Sequence, residues 1–287
     1  MEKTSITIRN MKATDIADAM RLSDAAGWNQ TEKDWKLLVD NTDNVCLLAE
    51  SGDKVVGTTT AINYANEVAW VGMVLVDKEY QGQGISKTLL AAIFKKAAHF
   101  KSIKLDATPA GQRVYKKLGF IEEYPIIRLT NATAPKVVPL EDDISPEPVD
   151  LSQVKEIAEL DEFIFGANRN QLITSLITES PRKSWLLKRN DSITGFALGR
   201  DGSKYHQVGP VVASTTLEAK MLLINALDDL IDQPVVLDVL ADKDDLLDWL
   251  YSNGFVKQRH FTRMYKEENL LPGITSKQYL IAGPEFG

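Results

Sequence analysis

One cysteine, Cys46, stands in a chain of 287 residues. A single thiol excludes a disulfide framework and any cysteine-based zinc site. The three histidines, His99, His206 and His260, lie far apart, without the spacing of a helical zinc motif. No metal is therefore expected. No apolar run reaches the roughly 18 residues of a membrane span, and the opening MEKTSITIRN is too polar for a signal peptide. The expectation is a cytoplasmic protein without a membrane partner. Positive charge is also in short supply: 33 Lys and Arg against 40 Asp and Glu leave a net −7. A nucleic-acid partner needs the opposite sign.

What is present is ordinary globular composition, 44% hydrophobic and 25% charged, in a chain long enough for two domains. Residues 131–150 hold four of the eleven prolines (Pro135, Pro139, Pro146, Pro148) and five acids against one lysine. Proline disfavours helix interiors and central strands, so this segment is expected to be an extended linker between domains at 1–130 and 151–287. The flanks resemble each other. VYKKLGF at 114–120 matches WLYSNGF at 249–255, and Gly72, Gly57 and Leu47-Leu48 match Gly209, Gly195 and Leu186-Leu187. The intervals between these anchors are 47 and 45, 15 and 14, then 9 and 8 residues, which indicates an internal duplication.

Each copy has a mixed α/β pattern. In the first, alternation predicts strands at 6–9, 45–50, 55–63, 67–77, 103–107 and 121–129. Helical spacing predicts helices opened by Thr14 or Asp15, at 34–39, from Ile85 to Ala97, and at 112–118. The strands at 45–77 form an antiparallel meander, and a glycine loop separates the last of them from the next helix.

That loop, in VLVDKEYQGQGISKT at 74–88, is the segment with chemical content. A strand, a glycine turn and a helix N-terminus together make an anion site, because backbone N–H groups converge where the helix dipole is positive. A Walker loop is excluded, since Gln81 sits where its first glycine belongs. A Rossmann fingerprint is excluded by Lys87 in place of its last glycine. The stretch instead resembles the pyrophosphate loop of the GNAT acetyltransferases, Q/R-x-x-G-x-G/A, through Gln81, Gly84 and Ser86. Ser86 adds one hydroxyl to the usual Gly or Ala. VYKKLGF is similar to that family's Y-x-x-x-G-F signature, and the order of elements across 1–130 matches its fold. The whole chain resembles tandem GNAT proteins, with a complete first copy and a diverged second one.

The resemblance implies two acyl-CoA N-acyltransferase-like domains, each a mostly antiparallel sheet flanked by helices. It implies acetyl-CoA as cosubstrate, its pantetheine arm pairing with Val74, Leu75 and Val76 where this strand parts from the next. Gln81, Gly82, Gln83, Gly84, Ile85, Ser86 and Lys87 would hold the pyrophosphate. Thr108 stands where the family often has an asparagine contacting the pantetheine. Between 87 and 129 nine basic residues face three acidic ones, a local +6 that offers partners for a further phosphate. The implied reaction is direct transfer to an amine with both substrates bound, driven mainly by proximity. Tyr115 matches the phenol that protonates the departing sulfur.

No base is evident. Trp70 occupies the position of the strand glutamate found in some relatives, leaving Glu67 three residues earlier, Asp77, Glu50 or Glu122, or a water chain. Trp28, Asn29 and Gln30, after Gly27, border the acceptor in this superfamily and are candidate substrate contacts. The second copy has no glycine between Gly209 and Gly254, has Leu250 in place of Tyr115, and carries Pro210 in its central strand. It is expected to bind no CoA, and to border the acceptor site or mediate self-association. The expected acceptor is a small-molecule primary amine, and the expected state a monomer or homodimer. The alternatives are a non-catalytic acyl-CoA sensor or scaffold, or a protein N-acetyltransferase.

Overall fold

The computed structural model describes residues 5–140 and 143–287. Glu141 and Asp142 of the expected linker lie outside the described residues. The chain divides into two compact units, residues 1–105 and 106–287.

Unit 1 contains β1 (Ile6–Asn10), α1 (Ile16–Ala25), α2 (Glu32–Val39), β2 (Val45–Ser51), β3 (Lys54–Tyr64), β4 (Val68–Val76), α3 (Ile85–Lys96) and most of β5 (Ser102–Ala107). Its strands run in the order β1-β2-β3-β4-β5, antiparallel except for the parallel β4–β5 pair. Trp35, Leu38, Leu47, Leu48, Trp70, Leu89 and Ile93 are fully buried and form its core. Asp15 stands at the N-cap of α1, as expected, but its carboxylate makes no capping bond to that helix; it accepts from the Lys12 N–H at 2.7 Å and so closes a 3₁₀ turn ahead of it. Cys46 lies buried on β2, as its strand pattern suggests.

Unit 2 begins with the end of β5 and continues through α4 (Pro109–Lys117), β6 (Phe120–Asn131), β7 (Glu147–Pro148), α5 (Val154–Phe165), α6 (Asn170–Glu179), β8 (Trp185–Arg189) and β9 (Ser192–Arg200). It is completed by β10 (His206–Val212), α7 (Thr216–Asp228), β11 (Val235–Leu240), α8 (Asp244–Ser252), β12 (Val256–Lys266) and β13 (Gln278–Leu280). The strand order is β12-β6-β11-β13-β10-β9-β8-β7. No helix among the described residues is long and apolar enough to cross a membrane.

The duplication is visible in detail. A Cβ on Gly57 would lie 3.0 Å from the Leu75 carbonyl, and one on Gly195 would lie 2.8 Å from the Val212 carbonyl. Both glycines thus let a helix and a neighbouring strand close on the sheet. Residues 69 and 70 of β4 pair with 103 and 104, and the matching 206 and 207 of β10 pair with 235 and 236.

The compact units nevertheless divide the chain at a different place from the sequence repeat. By sequence β6 closes the first copy, yet its ladder partners are β12 and β11, both from the second. Two buried ion pairs fix this arrangement. Arg128 of β6 grips Asp238 of β11 through two bonds of 2.7 Å, and Arg263 of β12 grips Asp106 of β5 through two of 2.9 Å. Arg128 and Arg263 each stand eight residues beyond the phenylalanine of their Gly-Phe pair. Such fork-to-fork pairs are directional, so they specify strand register as well as charge.

Candidate active site

In unit 1 the site starts from an irregularity in β4. Thr58 lies opposite Leu75 and Thr60 opposite Gly72, so β4 carries one residue more than β3 between these pairs. Met73 absorbs the extra residue with φ +51°, and the Thr58 hydroxyl donates to its carbonyl at 2.8 Å. This β-bulge bends the strand as it leaves its other neighbour. The parallel ladder to β5 holds residues 68–70 against 102–104 and goes no further. Beyond it Val74 and Val76 are half-buried, and among the described residues β5 pairs with no more of β4, which leaves the edge at Val74 for an extended amide-bearing chain.

The turn after β4 suits an anion. Gly82 and Gly84 adopt φ +78° and +82°, and a Cβ built on either would meet nothing within 4 Å. Gly84 is the N-cap of α3 and brings no side chain to the helix's first N–H groups, and the first turn carries no acid. These donors carry no side-chain cap, and the positive end of the helix dipole stands behind them. Buried Ile85 and Leu89 anchor the helix from beneath, while Gln81, Gly82, Gln83, Gly84 and Lys87 are exposed and Ser86 is partly so. The Gln81 amide donates to the Val76 carbonyl at 3.3 Å, tying the turn to the strand. The donor set and the open glycine cradle therefore fit a pyrophosphate.

A groove of about 280 Å³ adjoins this turn, lined by Arg21, Ala25, Lys54, Val76, Asp77 and Gln81. Sequence reasoning offered Asp77 as a candidate base but missed the groove, because Arg21 and Lys54 share no motif with it. Arg21 and Lys54 both reach Asp77, each at 3.1 Å. Burial alone raises the Asp77 carboxyl, but bonds from the Glu79 N–H, Lys54 and Arg21 outweigh it, leaving it below the ordinary 3.8.

The α1–α2 connection is pinned at both ends. Gly27, with φ +74°, donates to the Asp24 carbonyl and Trp28 N–H to that of Ser23, a Schellman ending for α1. Thr31 and Asp34 cap α2 reciprocally. Between them Asn29 and Gln30 are buried, and the Gln30 Oε1 has no hydrogen-bond partner among the described residues. A buried acceptor without a donor is costly and rare.

Glu67 lies elsewhere in unit 1. It precedes β4 at the end away from the glycine turn, and its carboxylate is held at 2.5 Å by Lys101. Nine residues of strand separate the two ends, on the order of 25 Å. Among the nine basic residues noted above, Lys101, Lys116 and Arg128 are engaged with Glu67, Glu122 and Asp238.

Thr108 and Tyr115 belong to unit 2. Thr108 caps α4, its hydroxyl accepting from the Gly111 N–H at 3.2 Å, with Pro109 at the first helical position. This is why α4 starts at Pro109, three residues before the predicted helix. Tyr115 is buried beside Phe120, with ring centroids 5.7 Å apart. Burial raises its phenol above the ordinary 10, so it stays protonated at neutral pH.

The second copy closes the corresponding helix terminus. Eight residues connect β4 to α3, but only three connect β10 to α7. The Thr215 side chain caps α7 by accepting from the Glu218 N–H at 3.2 Å, and the Glu218 carboxylate accepts from the Ser214 N–H at 2.8 Å. A buried acid, paired with Arg189, thus occupies the end that a phosphate would need.

Comparison with known proteins identifies the family of both copies. The model of the acetyltransferase (GNAT) family matches residues 14–120, and a second model, of an acetyltransferase (GNAT) domain, matches 157–280. The chain is 25% identical to the holothin acyltransferase of Pseudoalteromonas sp. (strain SANK 73390), across 91% of this chain and 89% of that one. A crystal structure from Pyrococcus horikoshii, assigned to the acetyltransferases, superimposes with a TM-score of 0.82 at 22% identity, covering 100% of this chain and 98% of the other. A tandem GNAT protein from the clavulanic acid biosynthesis pathway gives 0.65 at 13% identity, covering 92% and 98%. With both copies matched, the chain belongs to the GNAT acetyltransferases as a tandem member.

Proposed function

We propose that the protein transfers an acetyl group from acetyl-CoA to the primary amine of a small molecule, using the first copy alone. The observation that carries this reading is the open, uncapped N-terminus of α3, set after a strand whose edge is released by the Met73 bulge. Bound acetyl-CoA supplies an activated acetyl thioester. The chain's part is to hold both reactants: the edge at Val74, Leu75 and Val76 pairs with an extended arm, and N–H groups from 82–87 hold the pyrophosphate. One C–S bond is exchanged for one C–N bond, the amine gives up one proton and the departing sulfur takes one. Tyr115, protonated because it is buried, is assigned the second task. Its place in VYKKLGF carries that assignment. Glu67 is left out of the proposal because Lys101 holds it, and the amine's proton is assigned to water.

Two observations bear on the acceptor. The relative from Pseudoalteromonas is named for acyl transfer to holothin. In the α1–α2 connection, the buried Gln30 Oε1 has no partner among the described residues, and an N–H donor on the acceptor would satisfy it once the side chain turns outward. The test is thiol release from acetyl-CoA across a panel of amines, peptides and aminated sugars. Turnover of a small amine, reduced in Gln30→Ala through KM and in Tyr115→Phe through kcat, is the expected result. Turnover confined to peptide N-termini would replace the acceptor class, and CoA binding without turnover of any amine would remove the catalytic reading.

A further inference from the structure

The second copy retains the strand geometry of a cofactor cleft. β10 and β11 run parallel over residues 206–208 and 235–237, and β10 then gains a residue, since Val208 lies opposite Gly199 but Val211 opposite Ala197. This repeats the bulge and departure of β4. In unit 2, however, the opening is filled. Leu280 of β13 pairs antiparallel with Val211 on one side and Val239 on the other, and the Ile281 N–H donates to the Asp238 carbonyl at 3.0 Å. By the Gly72–Gly209 correspondence, Val211 and Val212 match Val74 and Leu75, the residues whose edge is expected to take a pantetheine arm.

The residues that follow are clamped as a ligand is clamped. Arg169 lies in the α5–α6 connection, the counterpart of the Trp28–Gln30 wall, and donates to the Gly287 carbonyl while Asp161 holds it at 2.7 and 2.9 Å. Arg200 of β9 pairs with Glu285, both buried. A Cβ on Gly209 would lie 2.0 Å from the Ile281 carbonyl, so the absence of a side chain there makes room for this segment. Residues 278–287 are buried throughout apart from the half-buried Pro284, and the void beside them measures about 10 Å³.

We infer that the second copy's cleft is a strand-binding site whose resident ligand is the protein's own 278–287 segment. Main-chain pairing holds its first part where a thioester arm would run, and Arg169 and Arg200 hold its second part where an acceptor would sit. The cleft is therefore sealed by an extended peptide, independently of what the first copy binds.

The test uses the full chain with a protease site inserted between Glu267 and Glu268, which are exposed. After cleavage of the folded protein, the fragment carrying 278–287 should co-elute with the remainder on gel filtration. In the uncut protein, the amides of Tyr279 to Ile281 should exchange with deuterium as slowly as those of β10, unchanged by saturating acetyl-CoA. Separation of the fragment from a folded remainder would overturn the inference. So would exchange at unstructured rates, or acceleration of these amides by acetyl-CoA. If cleavage unfolds the protein, the exchange measurement on the uncut chain decides alone. A first copy that binds no acetyl-CoA leaves both readouts interpretable.

Discussion

Two copies of one strand arrangement end in opposite states. In the first, a bulged strand leaves its neighbour and leads into a glycine turn whose helix N–H groups are uncapped. In the second, the same departure receives β13, and the helix terminus is closed by Thr215 and Glu218. The difference teaches that losing a site after duplication involves more than losing its motif. An abandoned cleft exposes unpaired backbone and apolar side chains, and leaving such groups unsatisfied is costly. Here the chain supplies the missing strand itself.

The comparison breaks most severely at the ion pairs of the exchanged strands. Arg263→Met leaves the Asp106 carboxylate buried without its partner, and Arg128→Met does the same to Asp238. Each is expected to cost about 3–5 kcal/mol in urea unfolding. Equal losses support equivalence of the two pairs, while a loss under about 1 kcal/mol at either would show that pair to be dispensable.

Next in size is Tyr115→Phe, expected to lower kcat roughly a hundredfold with KM for acetyl-CoA unchanged. An unchanged kcat would remove Tyr115 from the chemistry. The two helix termini respond differently. Thr215→Ala should cost about 1 kcal/mol of stability and leave turnover intact. Gly84→Ala places a Cβ at φ +82°, and its strain of about 1–2 kcal/mol falls on the phosphate turn. Its effect should therefore appear in acetyl-CoA affinity, read by titration.

Acid sensitivity gives a smaller test within the first copy. Hydrogen bonds from Arg9 hold the Asp15 carboxyl below the ordinary 3.8, with the Lys12 N–H adding to them against the opposing effect of burial. A carboxyl lowered by folding stabilises fully above its unfolded value, and that stability is lost as pH falls through the folded value. Asp15→Asn should flatten the acid limb of the stability profile below about pH 4. Smallest of all, burial pushes the Cys46 thiol up to about 12, so it should resist thiol reagents at pH 8 until the protein unfolds.

Most elements of the first copy were legible in its sequence, because apolar periodicity and turn residues mark local structure directly. The glycine loop was legible too, since closely spaced glycines mark a turn that takes positive φ at little cost. The partners of β6 were not. Its alternation gives a strand but not a neighbour, and Arg128 and Asp238 are 110 residues apart in sequence. The filling of the second cleft was equally hidden. QYLIAGPEFG at 278–287 carries no motif, and the need for Gly209 to lack a side chain appears only once Ile281 lies against it. The role of Gly27 in ending α1 was hidden too, because the Schellman bonds to Asp24 and Ser23 follow from its backbone and not from the Gly-Trp pattern.

Calorimetric titration of the intact protein with acetyl-CoA, beside Gly84→Glu, tests the contrast between the copies most directly. One site per chain in the wild type, lost in the variant while its unfolding temperature holds, is the result expected from one open cleft and one filled cleft. Two sites per chain, or binding that survives a carboxylate at Gly84, would contradict it.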